Sequence, residues 1–157
     1  MNTFEVRRTA AAPPDTVFDV FTDHRGYAAL VSAIRSSTLQ QEGDPAPNGL
    51  GAVRVLRVPG ATIREQVTEF NRPSRYSYRM LSGAPLRFSA TVAFNPVGQE
   101  RTEVVYTVSA EPSLRALGPV ANPVVKRAIV SFTDAAVAEA EARTAPSASH
   151  PHRPGQG

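Results

Sequence analysis

The chain predicts an α+β fold, and three observations carry that prediction. From Gly51 to about Ala110 it reads as a succession of strand-like segments with apolar residues at every second position, separated by short turns. Helical patterning is confined to a region after the first strand and to a long stretch after Pro112. No βαβ alternation occurs between them, so the strands form an antiparallel sheet and the terminal helix must cover one of its faces.

Taken in order, "NTFEVRRTA" from Asn2 alternates as a strand. "APPDTVFDVFTD" then carries helix-entry signals: prolines at the start, Asp15 early, and Val17, Phe18 and Phe21 at helical spacing. Gly26 interrupts, and "YAALVSAI" supplies a second short helical piece. Residues 34–41 form a plausible strand, and "EGDPAPNGLG" is a loop. Residues 52–58 and 61–70 form a hairpin about Pro59-Gly60, followed by the turn "NRPS" and the strand "RYSYRML". "LRFSATVAF" is the cleanest alternation, with Leu86, Phe88, Ala90, Val92 and Phe94 on one face. "TEVVYTVSA" is the last strand. The final helix is expected to be capped by Asn122, with Pro123 at its first position. Val125, Ile129, Phe132 and Ala136 form its apolar stripe, which extends to about Arg143. From Thr144 the Pro/Ser/His/Gly-rich end, including His150 and His152, is expected to be a disordered tail following a single domain over 1–143.

Composition narrows the function. With 157 residues, 41% of them hydrophobic, the chain suits one domain with a sizeable core. No apolar run reaches membrane-spanning length, and "MNTFEVRRTAAAPPD" lacks the apolar region of a secretory signal, so a cytoplasmic location is expected. The chain has no cysteine, which excludes disulfides, thiolate nucleophiles and Cys-based zinc sites. The charge is +3, from 17 basic and 14 acidic residues, and no basic run exceeds two, so a nucleic-acid partner is not expected. Phosphate-binding glycine loops, metal-ligand spacings and a Gly-x-Ser-x-Gly elbow are missing, so no cofactor or metal is expected.

These elements, with "VFDVFTD" after a Pro-rich entry, "GLGAVRVLRV", "REQVTEFNRPSRYSYRM" with its x-R-P-x-R turn, and "TEVVYTVSAEP", resemble the START-like (SRPBCC, helix-grip) superfamily, in particular its polyketide cyclase/dehydrase branch. The resemblance covers residues 3–143 and implies a curved seven-stranded antiparallel sheet wrapped around the long C-terminal helix. It also implies a deep cavity between them for lipid- or polyketide-like molecules. Many relatives carry Trp-x-Pro after the first helix; this chain reads "YAALVSAI" and has no Trp, so a differently shaped cavity mouth is expected.

If Pro59-Gly60 is a two-residue loop, Arg54 lies opposite Glu65 and Leu56 opposite Ile63, all on the face taken as inward. Two readings of the charged pair stay open. It is a polar handle in an otherwise apolar pocket, or a half-exposed staple between strands near a sheet edge. Burial in a sealed core would cost more than the attraction returns unless further hydrogen bonds compensate. Tyr76, Tyr78 and Tyr106 either direct phenols into the cavity or simply pack against the helix, and Tyr27 is placed near the entrance. With Phe88, Ile129 and Phe132 these complete the expected lining. Asp23-His24 is the one internal pair suggestive of acid–base work, although a solvated role at the helix end is the ordinary reading.

The leading expectation is a monomer or homodimer that binds a hydrophobic small molecule. A polyketide aromatase/cyclase or dehydratase using the same cavity is the alternative, and a protein-interaction module without ligand is the third. Catalytic residues are not assigned.

Overall fold

The computed structural model describes residues 2–114, 116 and 118–145. Seven strands form one antiparallel sheet: β1 (Asn2–Ala10), β2 (Ser36–Gln41), β3 (Val53–Val58), β4 (Ala61–Asn71), β5 (Arg75–Ser82), β6 (Leu86–Pro96) and β7 (Thr102–Pro112). Their order across the sheet is β1-β7-β6-β5-β4-β3-β2, so every neighbouring pair but β1–β7 is joined by a consecutive connection. Helices α1 (Pro14–Thr22) and α2 (Tyr27–Leu30), linked by a short 3-10 turn at His24–Gly26, follow β1; α3 (Gly118–Thr144) follows β7. The concave face carries the alternating apolar residues predicted for β6, together with Val104, Tyr106 and Val108 of β7. The helices cover this face, burying the core between sheet and α3.

The hairpin register is the predicted one, with Arg54 opposite Glu65 and Leu56 opposite Ile63. Two irregularities in the β4–β5 pairing depart from simple alternation, with Thr68 the extra residue on β4 and Leu81 the extra residue on β5. A bulge residue shifts the pleat by one position. Val67 and Phe70 therefore both turn inward, and Phe70 meets Phe18 of α1 edge-on at 5.1 Å.

Three element boundaries differ from expectation. The second helix stops at Leu30 because Val31 is extended, and β2 begins at Ser36. The long helix starts at Gly118, so Asn122 is not its cap and Pro123 lies inside the second turn. A proline this early removes one intrahelical donor, a loss that a long helix packed on a core tolerates. At the other end Thr144 belongs to α3, its hydroxyl donating to the Ala140 carbonyl at 2.9 Å. Ala145 follows, its N–H donating to the Glu141 carbonyl at 2.9 Å, and the expected tail from Pro146 on, with His150 and His152, lies outside the described residues.

The two ends of the sheet differ. At one end α1 closes the concave face, with Phe18 and Phe21 packed edge-on to Phe94 at 5.3 and 5.2 Å. Toward the other end, inward side chains become progressively more accessible. Along β5 the series runs from fully buried Tyr76 to half-buried Met80; along β4, from Val67 to Ile63; along β6, from Phe94 to Leu86. The helix α3, which begins beside this end after β7, repeats the trend from Phe132 through Ile129 to half-buried Val125. The half-buried apolar residues thus mark the more accessible end of the concave face, the mouth of the grip.

Candidate functional site

The site is built outward from Arg54. Its β3 position puts the side chain on the concave face, where it is 2% exposed, and Glu65 opposite is 6% exposed. Glu65 Oε1 lies 2.8 Å from both Nε and Nη2 of Arg54. Nη1 donates to the Tyr27 hydroxyl at 2.7 Å and to His24 Nδ1 at 3.1 Å. The guanidinium is also flanked by two rings, its central carbon 4.1 Å from the Tyr78 centroid and 4.8 Å from that of Tyr27. Cation–π contacts of this kind partly replace lost hydration. A half-exposed staple near the sheet edge is therefore excluded: the pair is buried and compensated by hydrogen bonds.

The partners fix the protons. Arginine only donates and a backbone carbonyl only accepts. His24 must therefore accept from Arg54 at Nδ1 and donate from Nε2 to the Asn48 carbonyl at 3.0 Å. Burial, reinforced by the positive charge of Arg54, lowers the His24 pKa to about 3, which matches this neutral tautomer. The Tyr27 hydroxyl donates to the Phe21 carbonyl. Its one proton being committed, Tyr76 is the donor in the 3.2 Å contact between the two phenols. Burial opposes the charge of Arg54, but Tyr27 and Glu65 more than offset it, holding its pKa well above the usual arginine value. Burial raises the pKa of Tyr27, Tyr78 and Tyr106, so these phenols stay protonated.

Two donors are left over. Of the five guanidinium N–H groups, one on Nη2 has no acceptor among the described residues. Tyr78 and Tyr106 hydrogen-bond each other through their hydroxyls; that contact uses one of two protons. The other has no acceptor among the described residues.

All eleven residues named from the sequence lie on the concave side or on the helix facing it. Arg54, Glu65, Tyr27 and Tyr76 are joined in one network beside the Tyr78–Tyr106 pair. Phe132 covers Tyr27 at 4.6 Å, while Leu56, Ile63, Phe88 and Ile129 lie toward the mouth. Two placements are corrected. Tyr27 is not at the entrance but in the centre, 2% exposed, and His24 is fully buried instead of solvated. The sequence missed His24 as a member of this network. The signal available was its spacing of three from Tyr27, which puts both on one side of a helical turn. The deep cavity implied by the resemblance is, at its centre, filled by Phe132, Tyr27 and Tyr78 around Arg54. Two concavities, of about 180 and 310 Å³, lie elsewhere. One is between α1 and the end of α3, near Asp23 and Arg143; the other is on the convex face among Ser77, Thr91 and Thr107.

This architecture, a curved seven-stranded sheet gripping one long helix over a buried polar cluster, defines a START-like helix-grip protein. A family model described as "Polyketide cyclase / dehydrase and lipid transport" matches residues 1–142, and the chain belongs to that family. Among solved structures it is similar to the Zhui aromatase/cyclase from Streptomyces sp. R1128, with TM-score 0.78 and 23% identity over 99% of this chain and 98% of that one. A START superfamily protein from Mycobacterium smegmatis gives TM-score 0.76 and 14% identity, covering 88% and 97%. Ara h 8.0201 gives 0.75 and 17%, covering 88% and 97%. At these identities the likeness establishes the fold alone. No curated protein matches the sequence.

Proposed function

We propose that the protein binds an apolar small molecule carrying a hydrogen-bond acceptor, such as a ring or chain ketone, which enters at the mouth and places its oxygen against the buried donors. The observation that carries this reading is the pair of unmatched donors, one on Arg54 and one in the Tyr78–Tyr106 pair, beneath a mouth of half-buried apolar side chains. Buried donors without acceptors are costly, and a ligand carbonyl would relieve that cost. Apolar walls with a few convergent polar groups are the usual make-up of a small-molecule site. Entry requires Phe132 or Leu56 to swing aside, since both stand between mouth and donors.

A second reading, an aromatase/cyclase, is favoured by one feature: a permanent cation beside protonated phenols can stabilise an enolate oxygen as it forms. It is weakened by the state of the candidate bases. Both His24 nitrogens are engaged, and Glu65 is bound to Arg54. Binding is therefore placed first.

The test uses native mass spectrometry for a co-purified apolar ligand, and titration with 2-acetylnaphthalene against 2-ethylnaphthalene, which has the same shape without the acceptor. Preference for the ketone, reduced by Tyr78→Phe/Tyr106→Phe, which removes the spare phenolic donor, supports the proposal. Equal binding of both probes, or binding of neither together with no co-purified ligand, overturns it.

A further inference from the structure

The ionic residues of this protein are segregated along the strand axis in a way that composition conceals. At the closed end the strand and turn arginines are matched with acids, Arg7 with Glu5 and Glu103, Arg8 with Asp134, Arg72 with Asp19, and Arg75 with Glu69, the exception being Arg101 in the β6–β7 turn, which has no carboxylate partner among the described residues. At the mouth end they are not. Arg57 ends β3, Arg64 lies near the start of β4, Arg79 near the end of β5 and Arg87 at the start of β6. None of the four has a carboxylate within salt-bridge distance among the described residues. On the opposite side of the mouth, exposed Lys126 and Arg127 of α3 are likewise without a carboxylate there. The acid at this end is Glu111, cross-strand from Arg87. Beside these cations stand two large apolar side chains in the open: Leu114, 63% exposed, and Val124, 64% exposed.

We infer that the mouth end docks on an anionic lipid bilayer. The cations sit on two opposite sides of the opening, on the convex face of the sheet and on the outer face of α3. One small anion or one acidic helix cannot touch both sides together, whereas a flat charged surface can. Basic residues near an anionic membrane surface each add favourable electrostatic energy, and apolar side chains among them insert between headgroups. The placement also faces the mouth toward the phase in which apolar molecules reside. In that respect the inference rests on the proposed binding reading, although the docking is measured without any ligand.

The experiment is co-sedimentation of the full chain with vesicles of phosphatidylcholine alone and of phosphatidylcholine mixed with phosphatidylglycerol, at physiological salt. Two matched variants accompany it: Arg57→Gln/Arg79→Gln/Arg87→Gln at the mouth and Arg7→Gln/Arg72→Gln/Arg101→Gln at the closed end, both checked for native circular dichroism. Binding to the mixed vesicles alone is expected, weakened about tenfold or more by the mouth variant and little by the closed-end variant. Equal losses in both variants would show net charge acting without a docking face, and overturn the inference. So would failure to bind mixed vesicles, or binding to an acidic protein or nucleic acid in their place. Because the naphthalene titration is read separately, failed docking with intact ketone preference rejects this inference and spares the ligand reading.

Discussion

Arg54→Met isolates what the buried ion pair contributes. It leaves the Glu65 carboxylate, 6% exposed, without its cation, and it strips a donor from the Tyr27 hydroxyl and from His24 Nδ1. Removing one partner of a buried pair costs about 3–5 kcal/mol, chiefly through the stranded charge. For a domain of this size each kcal/mol lowers Tm by about 2–4 °C, so a drop of about 6–20 °C is expected. Arg54→Met/Glu65→Leu removes both charges and should recover part of the loss, by relieving the stranded carboxylate. The remainder reflects the two charge-assisted hydrogen bonds that the guanidinium donates to Tyr27 and His24, worth about 1.5–3 kcal/mol each. Urea unfolding followed by circular dichroism gives all three stabilities, and the ketone titration on the double variant separates folding from binding. A single variant within about 1 kcal/mol of the parent, and no different from the double, would refute the reasoning. It would mean that water reaches the pair and that the network is not closed.

Three further outcomes follow from the same structure. His24, held near pKa 3 when folded against an ordinary 6.5 when unfolded, makes the protein acid-sensitive. Its folded value is depressed, so the stabilising contribution is present above about pH 6.5 and is lost as pH falls toward 3, at up to about 1.4 kcal/mol per pH unit. Urea midpoints measured across that window should fall in the parent more steeply than in His24→Gln. Phe132→Ala removes the ring packed on Tyr27 and on Phe21, the latter at 5.6 Å. Thermal melts should show a cost of about 3–5 kcal/mol, and the naphthalene probes should bind more readily if this ring obstructs entry. Gly83 has φ +121°, and an added Cβ would fall 2.4 Å from the Thr62 carbonyl oxygen. Gly83→Ala should therefore lose about 1–3 kcal/mol in urea titrations, whereas Gly60→Ala, which meets no such atom, should lose less.

Much of the fold was legible because its signals are local. The β6 alternation from Leu86 to Phe94 and the helical spacing of Val17, Phe18 and Phe21 follow from the periods of strand and helix, and the Pro59-Gly60 loop set the register of Arg54 on Glu65. Phe70 was harder to place. Its inward turn depends on a bulge at Thr68, which is a property of the β4–β5 pairing and not of either strand alone. The start of α3 at Gly118 was likewise hidden behind Asn122-Pro123, which has the form of an entry signal although the helix begins a turn earlier. In the site, the strand residues Arg54, Glu65, Tyr76, Tyr78 and Tyr106 could be read from alternation. The roles of His24 and Tyr27 could not, since both depend on how a short turn after α1 folds against β3.

By itself, then, the sequence determined the element order, the faces of the strands and the pairing of two charges on an apolar face. Each depends on residues close in the chain or joined by a tight turn. Only the tertiary structure decided that those charges are sealed beneath Tyr27, Tyr78 and Phe132, that His24 is held neutral, and that the unpaired arginines of the strands gather at one end. Burial, proton placement and charge segregation arise between elements distant in the chain, and no local period encodes them.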